Sequence, residues 1–217
     1  IAIDRRLASG TGVSSIAWMD RATTVIQLPH GLVAVAISLA VLPTLSRLSA
    51  LGDWGGYRQT LGQGLRMVLV LIIPATLGLL VLAEPIIALL FEHGKFTAYD
   101  TYWTSWALRC YLVGLVFAAV DWPLNYGFYA RQDTLTPALV GILSVGVYLA
   151  VALALIQPLG MLGLVLADSA KLFSHALTML VLTRRQVGSL ADQSVGQTLG
   201  NALLASIVMV ACMSLVL

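Results

Sequence analysis

Charged residues are scarce in this sequence. Asp, Glu, Lys and Arg make up 10 % of its 217 residues, where ordinary soluble domains carry about 25 %. Cysteine is nearly absent. Cys110 and Cys212 lie in separate apolar stretches, which excludes a disulfide framework and a cysteine zinc site. His30, His93 and His175 are dispersed, with no HExxH and no Cys/His cluster, so each reads as a packed or interfacial imidazole and no metal site is expected. The glycines show no phosphate-loop spacing, and no acid/base or nucleophile constellation stands out; neither a cofactor nor enzymatic chemistry is expected. The net charge is +2 and the basic residues are scattered, which argues against a nucleic-acid partner. No signal-peptide pattern opens the chain. "IAIDRRLASG" reads instead as the tail of an apolar segment leaving a membrane, with the first part of a larger protein preceding it.

What the sequence does have is apolar length. It is 59 % hydrophobic with a mean hydropathy of +0.92, the profile of a chain whose solvent is largely lipid. Six runs are long enough to span a bilayer, at roughly 15–46, 65–91, 102–129, 136–156, 161–183 and 199–217. The first nine or so residues read as the end of a further helix. The links are short and polar. "RLSALGDWGGYRQTLGQGLR" is rich in glycine, and part of it reads as an interfacial helix. The expected architecture is all-α, a polytopic transmembrane bundle without an extramembrane domain.

Lys and Arg in alternate links suggest an orientation. Arg47, Arg58, Arg66, Arg131, Arg184 and Arg185 fall on one side, six in all, against Arg5, Arg6 and Lys95 on the other. The first side is expected to be cytoplasmic. Pro29, Pro43, Pro74, Pro85 and Pro123 interrupt the spans. They read either as ordinary packing kinks or as the bending points of a transporter.

Ionisable groups within the runs are costly, about 2.5–3.5 kcal/mol each on insertion scales. Asp168 and Lys171 stand at i, i+3 and read first as a structural ion pair. Arg109 is close enough to a helix end to snorkel. Asp121, beside Trp122 and Pro123, is deeper. Arg21 is suited to an anionic headgroup, or else to pairing with Asp20. The link "GFYARQDTLTP", residues 127–137, concentrates polar chemistry between two greasy runs. Asp133 or Thr134 can cap the next helix, with Pro137 in its first turn. A capped, charged hinge and a moving gate are both compatible with it.

Four stretches carry a resemblance: "IQLPHGLVAVAISLAVLPTLSRLSA", "LAEPIIALLFEHGKFTAYDT", "GFYARQDTLTPALVG" and "PLGMLGLVLADS". In this order they resemble the MurJ (MviN) family of lipid II flippases, within the multidrug/oligosaccharidyl-lipid/polysaccharide exporter superfamily. The resemblance implies the second lobe of a flippase fold. Residues 1–10 would be the end of a truncated helix and an outer loop, 11–190 a five-helix part of the C-terminal lobe, and 191–217 an additional C-terminal helix. It implies a multi-pass protein of the bacterial inner membrane. The protein would flip an undecaprenyl-pyrophosphate-linked glycopeptide outward by alternating access, with a first lobe, membrane lipid and lipid II as partners.

The family places a cavity Arg near the start of this span. Counting back from Pro29, that position holds Thr24, and a position that is acidic in some members holds Gln27. Arg21 lies one turn earlier, about 60° round the helix. The implied headgroup candidates are therefore Arg21, Thr24, Gln27 and Asp121. Pro29, Arg131, Asp133 and Pro137 are the gate candidates. Export of another polyprenyl-linked glycan, or a non-transporting scaffold for cell-wall synthesis, are the alternative functions.

Overall fold

The computed structural model describes residues 14–190 and 193–215. The helix end expected at residues 1–10, with Arg5 and Arg6, lies outside the described residues. Among the described residues the chain is all-α. Six helices are long and apolar enough to cross a membrane: Ser15–Ala50, Trp54–Val81, Ala98–Tyr129, Leu135–Leu159, Met161–Val187 and Val195–Ser214. The first is composite. It consists of α1 (Ser15–Pro29), a π-helical segment (His30–Val35) and α2 (Ala36–Ala50). The others are α3 (Trp54–Val81), α5 (Ala98–Tyr129), α6 (Leu135–Leu159), α7 (Met161–Val187) and α8 (Val195–Ser214), with a short α4 (Ala83–Phe91) between α3 and α5.

The expected span at 65–91 differs most from what is found. Of the glycine-rich stretch before it, residues 51–53 are the link, and from Trp54 onward it forms the first turns of α3. Asp53 caps this helix, its carboxylate accepting the Gly56 N–H at 2.9 Å. From there Tyr57, Leu61, Leu65, Val68 and Ile72 run as one buried stripe. Arg66, counted among the links, therefore lies about 18 Å into α3 at 1.5 Å per residue. At the far end the run breaks at Leu82. Pro85 falls in the first turn of α4, where its missing N–H leaves no helical bond unmade.

The π segment follows directly on Pro29. Proline has no N–H to give back along the helix. The ladder resumes with one extra residue in the turn and returns to α geometry at Ala36. The bend expected from the prolines is thus accompanied by a local change of helical register.

Helix α5 is the centre of the bundle. It packs on α1, α3, α4 and α7; α6 packs on α7, and α8 on α3. Leu108, Leu112 and Leu115 of α5 are buried with Val68, Leu69, Ile72 and Ile73 of α3 and with Leu164 and Val165 of α7. A second cluster, around Tyr57, Leu61, Leu124 and Phe128, closes the end where α5 meets α6. Within a membrane, apolar burial alone does not join helices; close approach and interhelical hydrogen bonds do. The α5–α7 seam has both. A Cβ on Gly114 would stand 2.8 Å from the Ser169 hydroxyl. That hydroxyl donates to the Cys110 carbonyl at 2.9 Å, and Phe117 meets Phe173 edge-on at 4.9 Å.

Candidate functional site

The first span is the least enclosed part of the lobe beside α8. Only 17 % of its most apolar window is buried, against 56 % for α5. Ala17, Asp20, Arg21, Thr24, Gln27 and Leu28 of α1 are all exposed, while Met19, Ala22 and Val25 turn inward. Arg21 and Thr24 line one shallow recess with Ala17 and Asp20. The Thr24 hydroxyl donates to the Asp20 carbonyl one turn back, at 2.8 Å. No ion pair joins Arg21 to Asp20 among the described residues. The Arg21 guanidinium lies instead over the Phe91 ring of α4, 5.3 Å from its centroid. It borders a cavity of about 540 Å³ with Trp18, Lys95, Phe96 and Asp100. Trp18 is held there by its indole N–H, which donates to Asp100 at 2.8 Å, and Asp100 in turn accepts the Thr97 N–H at the start of α5.

The fourth headgroup candidate, Asp121, does not join the other three. It lies on α5 where the first span has reached His30, about 13 Å along that span from Arg21 at 1.5 Å per residue. Its carboxylate is 84 % covered and fully engaged. One oxygen meets His175 Nδ1 of α7 at 2.7 Å, and the other accepts the Asn125 amide at 2.7 Å. A cavity of about 620 Å³ opens beside this group, lined by Trp122, Asn125, Tyr126, Tyr129 and His175. His30 reaches the cluster from the π segment, its ring edge-on to Trp122 at 5.8 Å and within electrostatic range of Asp121.

His175, Asn125 and His30 are the residues that sequence reasoning passed over. Two signals were present. Asp121 and Asn125 stand one helical turn apart, and Asp168, Lys171 and His175 follow one face of α7 at i, i+3, i+7. The pairing of Asp121 with His175 links positions 54 residues apart, and no local pattern announces it.

Of the four gate candidates, Pro137 lines this cavity beside Thr134. Pro29 closes α1. At the α5–α6 link, Asp133 rather than Thr134 supplies the cap: its carboxylate accepts the Thr136 N–H at 3.0 Å and the Thr136 hydroxyl at 2.7 Å. These two donors hold the Asp133 carboxyl below the usual carboxylate range, with a smaller contribution from the Arg131 charge. Pro137 is buried in the first turn of α6. The link itself turns on Gln132, whose φ of 60° is left-handed. Arg131 lies over the Phe128 ring at 4.5 Å, and its Nε is buried without a hydrogen-bond partner. Elsewhere, Lys171 and Asp168 are joined along α7, with the ammonium 5.8 Å from the Tyr148 ring centroid. Among the described residues no group of His, Cys, Asp and Glu is placed to hold a metal.

Six helices long and apolar enough to cross a membrane, packed around a central α5, define a multi-pass helical membrane protein. The comparisons carry this further. The family model described as "Lipid II flippase MurJ" matches residues 1–217, and the chain belongs to that family. It is 37 % identical over 148 residues to a probable lipid II flippase MurJ of Haemophilus influenzae, covering 65 % of this chain and 29 % of the relative. It is 30 % identical over 209 residues to a probable lipid II flippase MurJ of Rhizobium tropici, covering 96 % and 39 %. A solved structure titled "Lipid II flippase MurJ, inward closed conformation" superposes with a TM-score of 0.84 at 27 % identity, over 99 % of this chain and 44 % of that one. The chain thus spans about a third of the length of these curated relatives, and its fold is that of a flippase lobe.

Proposed function

We propose that this chain acts as the second lobe of a lipid II flippase. It would carry the undecaprenyl-pyrophosphate-linked glycopeptide from the inner to the outer leaflet of a bacterial inner membrane, without chemical change to the lipid. The observation that supports this best is the open, polar face of α1. In a bundle otherwise walled by leucine and valine, it presents Arg21, Thr24 and Gln27 outward. Arginine is suited to a pyrophosphate because its guanidinium stays charged and bonds two oxygens at once. The attraction strengthens as water is excluded. A first lobe of the same fold would face this surface and complete the cavity. The end carrying Arg47, Arg58, Arg131, Arg184 and Arg185 would be cytoplasmic. The π segment and the capped α5–α6 link would serve as the places where the lobe bends when access alternates.

Thr24 and Gln27, standing where the family resemblance leads one to expect Arg and an acidic residue, favour one second reading: the same mechanism acting on another polyprenyl-linked glycan. Complementation decides between them. The full-length gene should sustain growth of a bacterium depleted of its own lipid II flippase. Failure to do so, with the protein present in the membrane at normal level, would refute the lipid II reading and leave the alternative lipid.

A further inference from the structure

Three structural elements converge on Asp121. It belongs to α5 and bonds His175 of α7, while His30 approaches from the π segment of the first span with its Nε2 buried and without a hydrogen-bond partner. π segments within α-helices are frequent at functional sites. Histidine is the side chain whose unperturbed charge changes near neutral pH. A carboxylate and an imidazole at membrane depth, beside a cavity, are the parts from which proton sites are made.

We propose that Asp121 and His175 form a proton-binding site, and that its occupancy sets how firmly α5 is held to α7. This deepens the flippase reading by naming a coupling ion; the site itself does not depend on that reading. The Nδ1–H of the neutral ring donates to the Asp121 oxygen. The incoming proton, delivered by water in the cavity, adds to the lone pair of Nε2, and no other bond is made or broken. The contact then changes from a hydrogen bond into an ion pair, which is the stronger of the two in a poorly hydrated seam. Release of the proton loosens the seam. The Asp121 carboxylate is then less tightly committed to α7 and interacts more with His30, so proton occupancy is felt in the first span.

The groups that face the pair leave this assignment to His175. From α5 come Asn125, whose amide holds the second Asp121 oxygen, and the phenols Tyr126 and Tyr129. From the first span comes His30. The α6 wall contributes Thr134, Pro137 and Ala138, none of them charged. On α7, Lys171 is one turn away and already paired with Asp168. Arg131, in the link, is stacked on Phe128.

The full-length protein is to be melted in lipid nanodiscs from about pH 5 to pH 8, the window in which histidine titrates. His175→Gln and Asp121→Asn keep a hydrogen bond without a proton site, and His30→Gln is the comparison. The stability difference between wild type and His175→Gln should shrink as pH rises, with a slope near one proton. Asp121→Asn should behave in the same way, and His30→Gln should keep the wild-type slope. Parallel curves for wild type and His175→Gln, or loss of the slope in His30→Gln alone, would overturn the proposal. The second arm measures lipid II movement in proteoliposomes with and without an imposed pH gradient. The wild-type rate should change several-fold with the gradient, and the ratio should return to one in His175→Gln. A wild-type rate indifferent to the gradient would overturn the coupling. If no lipid moves under any gradient while the melting slopes behave as stated, the flippase reading fails and the proton site stands.

Discussion

Helix α5 and the first span are both apolar, both carry proline within them and both are longer than a bilayer requires, yet they live in different solvents. Helix α5 is wrapped by α1, α3, α4 and α7. Three of its polar groups are spent on neighbours: Asp100 on Trp18, Asp121 on His175, the Cys110 carbonyl on Ser169. The first span turns one face to the bundle and leaves Arg21, Thr24 and Gln27 exposed on the other, with Arg21 stacked on Phe91 of α4. Hydropathy does not separate the two. What separates them is whether a charged group has a fixed protein partner, and that is a property of the assembled bundle.

Four changes test this contrast, in order of falling effect. Gly114→Leu attacks α5 where it is most tightly enclosed. Even a Cβ there meets Ser169, overpacking of this kind costs about 1–3 kcal/mol or more, and the α5–α7 seam cannot widen without losing the Ser169–Cys110 bond. The full-length protein should lose most of its folded yield, as read by size-exclusion profile and membrane level. A normal yield would show that α5 is not the keystone described here.

Arg21→Ala attacks the open face. It removes only a stacking contact with Phe91, so thermal stability should move by less than about 1 kcal/mol, while complementation by the full-length gene should be abolished. Adding Thr24→Arg to that protein should restore part of the growth. Full growth of the single variant would make the open face ordinary lipid-facing surface.

Lys171→Met leaves Asp168 without its partner in a half-buried setting, and Asp168→Leu leaves Lys171 likewise. Each should lower stability by about 1–3 kcal/mol. The double variant should recover much of the loss in a thermal melt, because two neutral side chains replace an ion pair at little net cost. Additive losses would mean that the two charges act separately.

Asp133→Ala removes the α6 cap and should cost about 1 kcal/mol. The sign of its pH dependence follows from the two Thr136 donors. The folded-state carboxyl is held below its unfolded value, so its stabilisation is fully present above the unfolded value and is lost as pH falls through the folded one. Wild type and Asp133→Ala should therefore differ at neutral pH and converge in strong acid.

The number of spans and their all-helical nature were legible because each apolar run exceeds what a soluble core uses. The start of α3 was not. Glycine reads as a breaker, whereas here Gly62 and Gly64 are buried positions that let Gln193 and Val41 come close, and the stripe beginning at Tyr57 carries the helix through them. Leu82 gave no sign of a break, since Pro85 belongs to the helix after it. At the candidate site, Arg21 and the Asp133 cap could be picked out by residue type and spacing. The partnership of Asp121 could not. His175 reaches it from another helix, and an imidazole 54 residues away looks like any other packed histidine until the two helices are side by side.

The π segment has a consequence for descent. One extra residue in a helical turn rotates everything on one side of it by about 100° relative to the other. Arg21 and Thr24 differ by about 60° on the helix surface, less than that rotation. A lineage that gains or loses one residue within His30–Val35 can therefore re-aim the whole of α1 while α2 and the rest of the lobe stay in place. A one-residue deletion in the segment would turn α1 by about 100° and draw it in by about 1.5 Å, a different displacement from the roughly 60° and 4.5 Å that separate Arg21 from Thr24.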